Sequence, residues 1–89
     1  MIGAALLGIR PEVARFAVNM ERRLAEHDED RGDEWRTFGV NKLMERFGEE
    51  TAEFVVAVAV RPGAATDEAA DVANFAMFLV ETLAKEGSA

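Results

Sequence analysis

Four carboxylates stand where they could do chemistry. Glu50 and Glu53 lie one helical turn apart within Glu49-Glu50-Thr51-Ala52-Glu53, and Glu68-Ala69-Ala70-Asp71 repeats that spacing after fourteen intervening residues. A separation of three places each pair on one side of a helix. Acids gathered at one level cannot all stay ionised without a cation. Oxygen ligands of this kind suit a hard divalent ion, Mg²⁺ first and Mn²⁺ next. His27, the only histidine, lies outside both motifs, which argues against a di-iron bundle site with its Glu-x-x-His pairs. The chain has no cysteine, so thiolate zinc sites, disulfides and a cysteine nucleophile are excluded.

The surroundings of the second motif make it unusual. From Ala69 to Val80, ten of twelve positions are apolar, yet Glu68, Asp71 and Asn74 recur every three residues as one narrow polar strip. A carboxylate buried without a partner costs several kcal/mol or shifts its pKa until it is neutral. No Arg or Lys follows in that helix until Lys85, so the compensating charge must come from elsewhere. The first motif sits beside an apolar stripe of Val40, Leu43, Met44, Phe47, Thr51, Phe54, Val55 and Val58. At about 100° per residue, Glu50 falls roughly 80° from the centre of that stripe and Glu53 roughly 140° from it. Glu50 therefore borders the packed seam.

Three helices must position these groups. Pro11 and Glu12 open the first, along which Val13, Phe16, Ala17, Met20 and Leu24 form an apolar face. A charged stretch, Glu26–Glu34, reads as a solvated loop or a mobile lid, and Trp35 and Phe38 follow on a short helical turn. The second helix spans about Val40 to Val60 and becomes apolar all round after Phe54, so its C-terminal half should be enclosed by protein. Arg61-Pro62-Gly63 stops it. The third starts near Thr66 as N-cap, with Asp67 and Glu68 at the positive end of its dipole, and runs to about Glu86. A link this short makes the last two helices an antiparallel hairpin. Glu53 lies nine residues before Pro62 and Asp71 nine after it, which brings the two motifs to one depth. The class is all-α.

Composition sets the outer bounds. With 89 residues, 49% of them apolar, the chain is one small domain, 1–89. Ten basic against seventeen acidic residues give a net charge of −7. That balance argues against binding nucleic acid through its phosphates and against adhesion to anionic lipid. It is compatible with handling polyphosphates when a metal mediates the contact. Met1–Ile9 is apolar but short, with no basic region before it and no small-residue cleavage site, and no run could span a bilayer. The expected location is cytoplasmic.

The two motifs, read as EExxE and ExxD, resemble those of the MazG-like all-α NTP pyrophosphohydrolases, relatives of dimeric dUTPases and dCTP pyrophosphatases. The run from Asp67 to Met77 is especially close to short members of that family, and the likeness extends from about Trp35 to Leu83. The resemblance implies that Glu50, Glu53, Glu68 and Asp71 hold Mg²⁺. It also implies hydrolysis of a nucleoside triphosphate between its α- and β-phosphates, giving the monophosphate and pyrophosphate. Glu49 is then the candidate general base, although its helical angle points it away from the seam. Asn74 is a candidate contact for sugar or phosphate, Lys42 or Arg46 for a phosphate oxygen, and Trp35 or Phe38 for stacking on the base. Members of the family are helical oligomers. Three helices of this size make half a bundle, which a homodimer or a dimer of dimers would complete into a four-helix-type bundle.

Each residue also has a plainer role. Glu49, Lys42 and Arg46 serve equally as surface charges, Asn74 as a helix–helix hydrogen-bonder, and Trp35 as a core anchor. Met20, Met44 and Met77 read as core, and His27 as surface. Two competing functions follow: a non-catalytic helical dimer acting as an interaction or regulatory module, and a protein that binds a cation for structure alone.

Overall fold

The computed structural model describes residues 8–87; the apolar stretch 1–7 lies outside them. Three helices are present: α1 (Pro11–Ala25), α2 (Val40–Val60) and α3 (Ala65–Gly87). Short 3-10 turns occupy Glu34–Thr37 and Pro62–Ala64. No strand occurs among the described residues, and none of their helices is long and apolar enough to cross a membrane.

Local signals account for most boundaries. Pro11 opens α1 where its missing N–H costs nothing, Glu12 sits at the positive end of the dipole, and Arg22 and Arg23 sit at the negative end. α2 begins after the extended Gly39 and ends where Arg61 leaves helical geometry before Pro62. α3 departs from expectation at its start. The 3-10 turn runs straight into Ala65, which is already helical at φ −62° and ψ −36°, so Thr66 lies inside the helix rather than capping it.

α2 and α3 pack along each other as the expected hairpin, and α1 lies across α3. The core is small: Leu43, Ala57, Ala70, Phe78 and Ala14 are buried. The buried position on α1 is Ala14, not the Val13–Phe16–Ala17 face, whose three residues are exposed. Met20 and Met77 are half-buried, whereas Met44 is exposed. The second half of α2 is also open. Only Ala57 is buried there, while Val55, Val56, Val58 and Val60 remain between 48% and 67% exposed. One hairpin and one crossing helix offer too few neighbours to enclose a helix that is apolar on every side.

Candidate metal centre and adjoining cleft

The hairpin brings Glu50, Glu53 and Glu68 together. One oxygen from each lies within 4.8 Å of the others. Glu50 is 6% exposed, and its Oε1 accepts a hydrogen bond from Arg46 Nη2 at 2.9 Å. Its Oε2 is buried and accepts nothing, and Glu68 Oε2 is in the same state. Burial pushes the Glu50 carboxyl up to about 7, helped by the charges of Glu53 and Asp71 and opposed by Arg46. Glu68 is pushed upward by burial, then by Glu53 and Asp71.

These features test whether the donor set suits a divalent cation. Mg²⁺ holds its oxygens at 2.0–2.1 Å in an octahedron, so ligands stand about 2.9 Å apart when adjacent and about 4.2 Å apart when opposite. The three carboxylate oxygens already lie within 4.8 Å of one another, close to that range. Two of the acids bury oxygens that no protein donor satisfies, and buried acceptors without partners are rare in folded proteins. The set fits.

Asp71, the fourth acid, is held differently. Arg23 donates to it through both sides of its fork, Nε to Oδ1 at 3.0 Å and Nη2 to Oδ2 at 2.8 Å. The charge that the polar strip of α3 requires is thus supplied, for Asp71, by α1. Next to this pair, Arg22 pairs with Asp67 and with Glu26 and holds the Asp67 carboxyl below its usual range. Asn74 lies on the same strip. It is buried and donates Nδ2 to the Met20 carbonyl at 3.1 Å, which ties α3 to α1, while its Oδ1 is buried and accepts nothing.

The acids open onto a cleft of about 510 Å³, within the range of small-molecule sites. Glu50, Glu53, Asp71 and Asn74 form one part of its wall, and Trp35, Phe38, Phe75 and Phe78 supply an aromatic part. Four cationic side chains, Arg23, Arg31, Lys42 and Arg46, line it as well. The overall charge of −7 therefore conceals a locally balanced cleft.

The remaining candidate residues take clear positions. Arg46 pairs with Glu49 as well as Glu50 and lies 5.3 Å from the Phe75 ring centre. Glu49 is exposed and is absent from both the three-acid cluster and the cleft lining. Lys42 lies 4.0 Å over the Phe38 ring, a cation–π contact. Trp35 stacks on Phe78 with ring centres 4.3 Å apart and planes 10° from parallel, and its ring also carries the Arg36 guanidinium at 4.4 Å.

Among the cleft residues that escaped the sequence reading are Arg23, His27 and Arg31. The stretch 26–33 is not a loose loop. The His27 carbonyl accepts from the amides of Asp30, Arg31 and Gly32, and Gly32 takes a positive φ of 42° to close the turn. That winding carries His27 and Arg31 to the cleft, and His27 is half-buried rather than on the open surface. The only available signal was the glycine.

Comparison with known proteins agrees with this architecture. The family model for phosphoribosyl-ATP pyrophosphohydrolase matches residues 13–84, which include all three acids of the cluster, Asp71 and every residue lining the cleft. No curated protein and no solved structure matches the chain. A match over so much of the sequence, on an all-helical chain with clustered acids, shows that it belongs to the phosphoribosyl-ATP pyrophosphohydrolase family, all-α pyrophosphohydrolases of the MazG-like superfamily that act on a nucleotide phosphoanhydride.

Proposed function

We propose that the chain hydrolyses a nucleoside triphosphate between the α- and β-phosphates, yielding the nucleoside monophosphate and pyrophosphate, with Mg²⁺ as cofactor and Mn²⁺ as a substitute. The observation that carries this reading is the pair of buried, unsatisfied oxygens on Glu50 and Glu68, set beside a cleft that also presents four cations. Glu50, Glu53 and Glu68 hold the metal, with Asp71 as the fourth ligand. When bound, the cation neutralises polyphosphate charge and acidifies water.

The other residues act on the substrate and on the proton. Lys42 and Arg46 meet phosphate oxygens from the α2 side of the cleft. Glu49 accepts the proton of the attacking water as the phosphoanhydride bond breaks and pyrophosphate leaves. Its link to the cluster is Arg46, whose one guanidinium pairs with Glu49 and Glu50 together. Asn74 offers Oδ1 to a sugar hydroxyl. Phe38, which carries Lys42 alone, takes the base in preference to Trp35, whose ring carries both Phe78 and Arg36.

Within this reading the whole sequence, 1–89, is one MazG-like domain that works in the cytoplasm as a homodimer or a dimer of dimers. Apolar side chains left exposed on all three helices, among them Val13, Val55, Val58, Val80 and Leu83, support self-association into a completed bundle. The test is pyrophosphate release from a panel of ribo- and deoxyribonucleoside triphosphates and phosphoribosyl-ATP, with Mg²⁺ or with chelator. Release from at least one substrate, dependent on the metal, is expected. No release from any of them at micromolar protein would overturn the reading.

A further inference from the structure

We propose that Arg23 is an exchangeable side chain: it neutralises Asp71 before the divalent cation binds, and it turns to a phosphoanhydride oxygen of the nucleotide once the cation takes Asp71. The proposal rests on the metal-site reading above and adds a residue to it.

Four features of the structure support the exchange. First, the two forks of the Arg23 guanidinium engage both Asp71 oxygens, at 3.0 and 2.8 Å. A cation approaching Asp71 therefore meets a positive charge on the carboxylate it needs. Second, Asp71 stands outside the group of three acids whose oxygens already converge. The one candidate ligand that carries a guanidinium is the one not gathered with the rest.

Third, the other partners of Arg23 do not depend on it. Its Nη1 reaches Glu26 at 2.8 Å and Asp67 at 3.8 Å, and Arg22 pairs with both of those acids. Only Asp71 loses its partner when Arg23 leaves, and the incoming cation supplies the missing charge. Fourth, Arg23 already lines the cleft with Arg31, Lys42 and Arg46. A guanidinium released there meets the space a polyphosphate would fill, and its planar fork binds phosphate oxygens in pairs.

The consequence is coupling. Metal binding alone must break an ion pair, whereas metal and nucleotide together give the freed guanidinium a new partner, so each strengthens the other.

The experiment measures Mn²⁺ binding by calorimetry, without nucleotide, to the wild-type chain and to Arg23→Gln, Arg23→Lys and Arg22→Gln. Circular dichroism checks that each variant is helical. Because the ion pair no longer competes, Arg23→Gln should bind Mn²⁺ roughly ten- to hundredfold more tightly than wild type, the factor expected for one charge-assisted contact. Arg23→Lys keeps the charge but cannot grip both oxygens, and should fall between the two. Arg22→Gln should match wild type. In the same variants, a non-hydrolysable nucleoside triphosphate should tighten Mn²⁺ binding less for Arg23→Gln than for wild type. Unchanged or weaker Mn²⁺ binding by Arg23→Gln would overturn the exchange, and Arg23→Lys carries the same test should the Gln variant fail to fold. Failure of the wild-type chain to bind Mn²⁺ at all would instead remove the metal-site reading.

Discussion

Glu50 and Glu68 come from the two helices of one hairpin, and each buries an oxygen that accepts no hydrogen bond. Burial pushes the pKa of both upward, and the charge of Glu53 adds to the shift. In the absence of a cation this arrangement works against the fold, and the effect should appear as a dependence of stability on pH. Glu50 holds its proton more tightly in the folded chain, at about 7 against an ordinary 4.5. Between those values the folded state carries more protons than the unfolded one, so stability falls as pH rises and levels off above the upper value. Glu68 adds to the same slope. Thermal unfolding followed by circular dichroism in chelator should show Tm declining between about pH 5 and about pH 8. Mg²⁺ should restore it at the alkaline end, because the ion binds the deprotonated carboxylates. A Tm that rises through this range in chelator would show that these acids are not destabilising.

Replacing single acids should separate the two ways charge is managed. Glu50→Gln removes a buried charge but leaves Arg46 with one partner fewer. The net expectation is a metal-free protein stabilised by about 1 kcal/mol, with Mg²⁺ stabilisation and turnover lost. Asp71→Asn should act in the opposite sense on stability. It breaks the fork with Arg23, in which both side chains are largely shielded, and should cost about 1–2 kcal/mol. Simple relief of acid–acid repulsion would have both substitutions raise Tm. Chemical denaturation of the two variants side by side, without metal, decides between these patterns.

The difference between those two acids marks how far the sequence was legible. The hairpin was readable because the apolar stripe beginning at Val40 and the stop at Arg61-Pro62-Gly63 point to the same boundaries. The gathering of Glu50, Glu53 and Glu68 followed from spacing and a short link. The partner of Asp71 did not, because Arg23 lies 48 residues away on a helix whose crossing angle no local pattern encodes. Nor did the exposure of Val55, Val56, Val58 and Val60. An all-apolar stretch shows that a helix seeks cover, not that its own chain provides it. Thr66 was misplaced for a local reason: the 3-10 turn at Pro62–Ala64 runs straight into the helix, which starts at Ala65, two residues before the position a Thr66 cap implies.

Trp35 offers a direct check on the cleft, since it is the only tryptophan. Its stack on Phe78 marks it as an anchor between the turn at Glu34–Thr37 and α3. Trp35→Ala should destabilise the fold by about 2 kcal/mol, below the cost at a fully buried site because the ring is half-exposed. If Trp35 is an anchor and not the base platform, Trp35→Phe should keep most of the stability and leave nucleotide affinity within about twofold. A loss of affinity with stability intact would return the base-stacking role to Trp35.

The open faces of the helices carry an expectation about assembly. Sedimentation equilibrium should find a dimer or larger species at micromolar concentration. Val58→Glu, which places a charge among the exposed valines of α2, should shift it toward monomer. A wild-type chain that stays monomeric would contradict the completed-bundle reading while leaving the metal site untouched.

If a divalent cation resolves the cluster of Glu50, Glu53 and Glu68, isothermal titration of the chelator-treated protein with Mg²⁺ and Mn²⁺ should detect it. Saturable uptake that releases protons near neutral pH, where Glu50 is partly protonated, and that is lost in Glu50→Gln, is the expected result. No uptake of either ion, with or without nucleotide, would contradict it.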